Sequence, residues 1–190
     1  MKLLEDRIAK DAKVLDGGIL KVDGFLNHRL DVPFFDELAK EFYRLYGECG
    51  VNKILTIEAS GIGLACVTAL RFGCPVVFAK KSRTKNLSKN VYTAPVFSYT
   101  HGEQYEIMVS KDYLSPDDRI LIIDDFLAMG EALRGLLKVC EDAGATVVGA
   151  GIAVEKAFQP GGKLLRESGL RVESLARIES MDPEKGVTFC

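Results

Sequence analysis

The run Ile120-Leu-Ile-Ile-Asp124-Asp125-Phe-Leu-Ala128-Met129-Gly130-Glu131-Ala132 constrains this chain more than any other segment. Unbroken aliphatic residues from Ile120 to Ile123 read as a strand buried on both faces, and such strands belong to parallel sheets. Asp124 and Asp125 then fall at the carboxyl end of that strand, the edge where open α/β sheets bind ligands. A short loop with glycine follows, and a helical pattern over 131–143 is closed by Gly144. The loop brings backbone N–H groups to a helix N-terminus, whose partial positive charge favours phosphate. Carboxylates beside a phosphate cradle suit a ligand with hydroxyls and a phosphate, such as a phosphorylated sugar. Alone, the same segment is compatible with a buried strand that ends in a solvated acidic turn. Neither the lysine-containing P-loop nor the three-glycine dinucleotide fingerprint occurs, so ordinary nucleoside triphosphate or dinucleotide binding is unsupported.

The rest of the chain alternates in kind. Apolar spacing predicts helices over 2–15, 33–47, 61–72, 131–143 and 161–168, and strands over 53–58, 74–81, 105–109, 120–125, 146–155 and 170–178. Residues 18–28 read as a short strand or loop pair, and 82–100 as a polar, basic stretch without a clean period. This alternation implies an α/β fold, with an open, mainly parallel twisted sheet and helices on both faces. With 190 residues, 47% hydrophobic and 27% charged, the chain suits a single well-cored domain over 1–190. A net charge of −2 offers no basic field for nucleic acid. The N-terminus lacks an apolar signal core, and no stretch approaches the ~20 apolar residues of a membrane span. A soluble, cytoplasmic protein without a membrane partner is expected. Five cysteines show no metal spacing. Cys49, Cys66, Cys74 and Cys140 read as buried reduced thiols, and Cys190 as exposed.

Further groups could serve a ligand. Glu58-Ala-Ser60-Gly61-Ile-Gly63 follows a strand and opens a helix, a glycine turn that lets backbone approach an anion or that simply needs small residues. Lys80-Lys81-Ser-Arg83-Thr-Lys85, with Lys89, is either a solvated basic loop or a lid whose cations cover a diphosphate. Lys156 ends a strand at the same edge as Asp124, where it can snorkel to water or donate to a ligand oxygen. Phe158 could stack on a planar base. Asn27 carries donor and acceptor on one amide, suited to a base edge or to a turn. His28 and His101 have no partner motif and read as structural.

The segment around Asp124 and Asp125 resembles the phosphoribosyl diphosphate (PRPP) signature of type I phosphoribosyltransferases, in which apolar residues precede two acids and a loop around the ribose 5′-phosphate. Asp16-Gly-Gly-Ile-Leu20-Lys-Val-Asp-Gly-Phe-Leu-Asn27-His28, Glu58-Ala-Ser-Gly-Ile-Gly63, Lys80-Lys81 and Val154-Glu155-Lys156 extend the resemblance over about residues 3–180, toward the bacterial members that act on xanthine. The resemblance implies transfer of phosphoribosyl from PRPP to xanthine in purine salvage, by a homodimer. It implies that Leu20, Asn27 and Lys156 contact the purine, under a small hood built from the N-terminal and C-terminal segments. Ala128, Met129, Gly130, Glu131 and Ala132 would hold the 5′-phosphate, Ser60 and Gly61 with Lys80 and Lys81 the diphosphate, and Asp124 and Asp125 the ribose hydroxyls. Mg²⁺ would arrive on PRPP without direct protein ligands, with Glu58 in its water shell. The loop departs from the usual pattern, which has threonine and a glycine pair; Met129 stands where Asn is usual and Glu131 where Gln is usual. Without a hydroxyl, this loop must hold phosphate mainly by backbone N–H groups. The same transfer to guanine, hypoxanthine or adenine stays open. So does a PRPP-sensing regulator, which would need a basic face or an added nucleic-acid-binding segment.

Overall fold

The computed structural model describes residues 1–82, 90–98 and 102–190. The chain opens with helix α1 (Lys2–Asp11), a hairpin of β1 (Lys13–Leu15) and β2 (Ile19–Lys21), and a π-helical turn at Asp23–Asn27. Helix α2 (Val32–Tyr46), strand β3 (Lys53–Ile57), helix α3 (Gly61–Phe72) and strand β4 (Val76–Ala79) come next. A second hairpin, β5 (Val91–Ser98) and β6 (Glu103–Ser110), leads into β7 (Arg119–Leu127) and α4 (Glu131–Ala143). Strand β8 (Thr146–Lys156), helix α5 (Gly161–Glu167), β9 (Val172–Asp182) and β10 (Gly186–Phe189) complete it.

Six strands form one sheet in the order β10-β9-β8-β7-β3-β4, parallel except for the antiparallel edge strand β10. Strand β7 is apolar on both faces because it feeds two cores. Leu121 and Ile123 pack with residues of α1, α2 and α3, while Ile120 and Ile122 pack with α4 and the β5–β6 hairpin. Helix α2 buries Phe35, Leu38, Phe42 and Tyr46 at helical spacing, and Asp31 caps it by accepting from the Phe34 N–H. Gly151 in β8 makes room for α2, since a Cβ there would lie 2.8 Å from the Phe42 ring. Truncating Phe42 to alanine at this junction would cost about 3–5 kcal/mol.

Three local expectations change. The first helix stops at Asp11, because the chain becomes extended at Ala12 (ψ 159°) and Val14 pairs with Leu20 in the first hairpin. Gly17 and Gly18, at φ +76° and +71°, make its turn in a conformation that costs glycine no Cβ clash. The stretch expected to be irregular after Ser82 contains β5, which pairs with β6 along its whole length and buries Ala94 and Val96. Its partner is correspondingly longer than the strand expected at 105–109. Strand β10, unanticipated, closes the sheet edge against β9.

Helix α1 and strand β1 rest against β9 and β10, which joins the N-terminal and C-terminal segments. Cys140 is buried, and burial pushes its thiol up to about 12. Cys49 and Cys74 are only half-buried and Cys66 is exposed on α3, contrary to expectation, because those positions lie at the rim or outer face of their elements. Among the described residues no helix is long and apolar enough to cross a membrane.

Candidate active site

A cleft of about 590 Å³ opens where β7 and β8 end. Asp124 lies in its wall, followed by Phe126 and then by the loop Ala128, Met129, Gly130, Glu131 and Ala132; Lys156 and Gln159 line it from the end of β8. Gly17, Gly18 and Ile19 of the first hairpin and Phe97 and Tyr105 of the second enclose it. The strand ends thus bring an acidic residue, a phosphate-sized loop and a lysine into one space.

Asp124 and Asp125 are 7% and 6% exposed, which is costly for carboxylates unless they are bonded. Burial, and then the neighbouring Asp125 carboxylate, hold Asp124 well above the usual carboxylate range, while the Asp125 N–H and the Lys81 charge pull it back. The Asp125 N–H donates to Asp124 Oδ1 at 3.0 Å. Ser60 Oγ donates to Asp125 Oδ1 at 3.0 Å, so the turn before α3 is tied to the acidic pair. Gly61 is needed beside it, because a Cβ there would collide with Thr56 Oγ1 and stand 2.9 Å from Asp124 Oδ1. The Glu58–Ala59 peptide in this turn is cis.

Gly130 caps α4 at φ +85° and, lacking a side chain, makes no cap bond to the helix's first-turn N–H groups. Those donors and the positive end of the helix suit an anion. The loop is braced from behind. A Cβ on Gly161, at the start of α5, would collide with the Ala128 carbonyl, so only glycine lets α5 approach that closely. Helix α5 is itself clamped: Arg166 donates to both oxygens of buried Glu155 at 2.8 and 2.6 Å, and Ser174 Oγ adds a bond at 2.5 Å.

Lys156 Nζ donates to the Gly18 carbonyl at 2.9 Å, and burial pulls its ammonium below the usual lysine range. An ammonium has three donors, so two remain for a ligand oxygen. The other two residues expected at the base stand elsewhere. Leu20 is buried in the core, and Asn27 is exposed at the end of the π-helical turn; neither lines the cleft, since the hairpin presents Gly17, Gly18 and Ile19 instead. Phe158 is 48% exposed and Phe126 takes the place beside Asp124. Phe126 was discernible, because residues two apart on a strand share a face. Gln159 and Tyr105 carried no comparable signal.

Lys81 places its Nζ 5.6 Å from the centre of the Tyr105 ring, and its backbone N–H donates to Glu58 at 2.6 Å. Lys80 is pinned by paired backbone bonds to Met108, both 2.9 Å. Arg83, Lys85, Lys89 and His101 lie outside the described residues. No three His, Cys, Asp or Glu side chains are grouped to hold a metal among the described residues. Glu58 alone, with one oxygen already accepting a bond, suits a hydrated Mg²⁺ carried on substrate phosphates better than a protein cage.

A family model, the phosphoribosyl transferase domain, matches residues 29–166. A xanthine phosphoribosyltransferase of Ruminiclostridium cellulolyticum is 56% identical over 182 residues, 96% of each chain. Another, of Finegoldia magna, is 55% identical over 179 residues, 94% of each chain. Among solved structures, adenine phosphoribosyltransferase of Rhodothermus marinus superposes with a TM-score of 0.75 over 93% of this chain and 99% of that one; at 20% identity the likeness is one of fold.

Proposed function

The chain belongs to the phosphoribosyltransferase family, and we propose that it transfers the 5-phosphoribosyl group of PRPP to xanthine, giving xanthosine 5′-monophosphate and diphosphate. The observation that carries the chemistry is that Asp124, the loop from Ala128 to Ala132 and Lys156 share one cleft. The near-full-length likeness to xanthine phosphoribosyltransferases supports the choice of base.

In the proposed reaction the 5′-phosphate sits on the N–H groups at the start of α4. Asp124 and Asp125 accept hydrogen bonds from the ribose hydroxyls and place C1 against the base, a positioning effect. The C1–O bond to diphosphate lengthens, positive charge builds on the ring, and a purine nitrogen attacks C1 as diphosphate leaves, the nitrogen's proton passing to solvent. Ser60 and Gly61, with Lys80 and Lys81, would hold the diphosphate. Mg²⁺, when bound through the substrate's phosphates with Glu58 in its water shell, supplies neutralising charge for the leaving group. No nucleophilic side chain is required.

Lys156 selects the base by donating to a xanthine oxygen. A base lacking that oxygen would leave a half-buried ammonium short of acceptors, and sites built to bond an oxygen reject such analogues strongly. Leu20 and Asn27, off the cleft in this conformation, would reach the base only if the first hairpin and the following turn move inward. Diffusible substrates suit a cytoplasmic enzyme. The exposed apolar Leu70, next to Cys66 on α3, suits coverage by a second copy in a homodimer, which sedimentation would test.

Diphosphate release from PRPP and Mg²⁺, measured in parallel with xanthine, guanine, hypoxanthine and adenine, tests the assignment. Release with xanthine far above the others is expected. Release led by another base would overturn the substrate, and tight PRPP binding without release from any base would overturn catalysis.

A further inference from the structure

We propose that Arg134 is the positioning residue of the phosphate loop, holding the loop's carbonyl outward and cancelling the charge of Glu131. The role rests on the reading of residues 128–132 as the 5′-phosphate site. Arg134 lies one helical turn into α4 and does not line the cleft; it borders a groove on the outer side, between α4 and α5. From there both of its terminal nitrogens donate to the Met129 carbonyl, at 3.0 and 3.1 Å. The Gly130 carbonyl meanwhile accepts the Arg134 backbone N–H at 2.9 Å. The Arg134 side chain therefore ties the Met129 carbonyl toward the outer groove, while the helix's own backbone bond engages the Gly130 carbonyl.

That arrangement matters because a phosphate is repelled by carbonyl lone pairs and attracted by N–H groups. A loop without hydroxyl side chains has only its backbone to offer, so the direction of each peptide decides whether it binds or repels. Glu131 adds a second problem, since it is a cleft-lining residue that brings a carboxylate close to where a dianion would sit. Arg134 answers that as well: its guanidinium lies 3.6 Å from Glu131 Oε1. Both partners are partly exposed, at 40% and 31%, so the pair acts on local charge and contributes little to stability. Gly130 and Gly161 fix the loop's shape, whereas Arg134 fixes its polarity.

The test is a cycle of Arg134→Ala, Glu131→Gln and the double variant, read as the KM for PRPP, the KM for xanthine and the affinity for ribose 5-phosphate by calorimetry. Losing a charged donor should raise the PRPP KM and weaken ribose 5-phosphate on the order of tenfold, with the xanthine KM within about twofold. Glu131→Gln should tighten both phosphate ligands, and in the double variant should restore part of the loss. Arg134→Lys, a point charge without the fork, should recover the charge effect but only part of the affinity. Phosphate affinities unmoved by Arg134→Ala would overturn the role, and so would a loss that Glu131→Gln does not relieve. Should Arg134→Ala fold poorly, Arg134→Lys and Glu131→Gln decide the same question. The calorimetric arm decides it without turnover, so a wild-type protein that released no diphosphate would sink the proposed reaction and leave this role still measurable.

Discussion

Gly161→Ala tests how the phosphate loop is held in place. A Cβ at that position would collide with the Ala128 carbonyl oxygen and stand 2.5 Å from the Met129 carbonyl carbon and 2.7 Å from the Gly130 nitrogen. All three are backbone atoms, so no side-chain rotation relieves the contact. Ordinary contact begins at 3.4 Å, so α5 and the loop must separate by about 0.7 Å at Gly130 and further at Ala128. Overpacking of this kind costs ~1–3 kcal/mol. A chain of this length loses ~2–4 °C in Tm per kcal/mol, so Tm should fall by about 2–12 °C. The larger effect is on function, because misplacing a site by ~1 Å can cost ~100-fold. The expected fall in kcat/KM for PRPP is therefore about 10- to 100-fold, with the xanthine KM within about twofold. Calorimetry gives the first quantity, and initial rates of diphosphate release at saturating xanthine give the second. A Tm drop with unchanged PRPP kinetics would refute the coupling of α5 to the loop. An unchanged Tm would refute the contact itself.

Other outcomes follow from the buried charges and from Lys156. Asp124 is raised in the folded protein by burial and by Asp125, so its stabilising contribution is present below its unfolded value near ~3.9 and lost as pH rises through the folded value. Asp124→Asn should therefore raise Tm at neutral pH, with the gain shrinking toward pH ~4, while abolishing turnover with every base; retained turnover would remove its ribose role. Glu155 runs the opposite way: burial alone would raise it, but Arg166 and Ser174 bonds hold it below the usual range, so its stabilisation is present above ~4.3 and lost as pH falls through the folded value. Glu155→Gln should cost about 1–3 kcal/mol near neutrality, allowing for the part-exposure of Arg166, and a deficit that does not narrow in acid would refute the pairing. Lys156→Ala should raise the xanthine KM about 10- to 100-fold and leave PRPP nearly unaffected, and an unchanged xanthine profile would remove it from the base site.

Strand β7 and the acids at its end were legible because burial on both faces leaves an unbroken apolar run that few other structures produce. Helices α3 and α4 were legible to the residue because glycines mark both of their ends. What escaped notice shares one physical cause, dependence on a partner outside the segment itself. Val14 and Leu15 continue the helical spacing of α1, yet they turn extended because Leu20 and Ile19 are available to pair with them. Strand β5 carries Pro95 and follows a polar, basic segment, and its regular pairing is with β6. Leu20 sits in a segment that resembles a base site, but alternation in a short hairpin points it into the core and leaves Ile19 facing the cleft. The bond from Lys156 to Gly18 spans 138 positions, and no local pattern encodes such a contact.

The two ends of the cleft are therefore built on different principles. At the proposed phosphate end the donors would be backbone groups, so binding would depend on how the loop is oriented more than on which side chains it carries. Gly130 within the loop bears on that orientation, and Gly161, the Arg166–Glu155 clamp behind α5 and the hold of Arg134 on Met129 bear on it from outside the cleft. Met129 can accordingly stand where a polar residue is usual, since its carbonyl, and not its side chain, is what the fold secures. At the base end the reverse holds. In the proposed reaction recognition there falls to the ammonium of Lys156, which is bonded to the Gly18 carbonyl of a hairpin far away in the chain. Sequence drift should consequently be tolerated within the phosphate loop while its buttresses persist, whereas a change at Lys156, or a shift of the Gly17-Gly18 turn that holds it, should change which base is used.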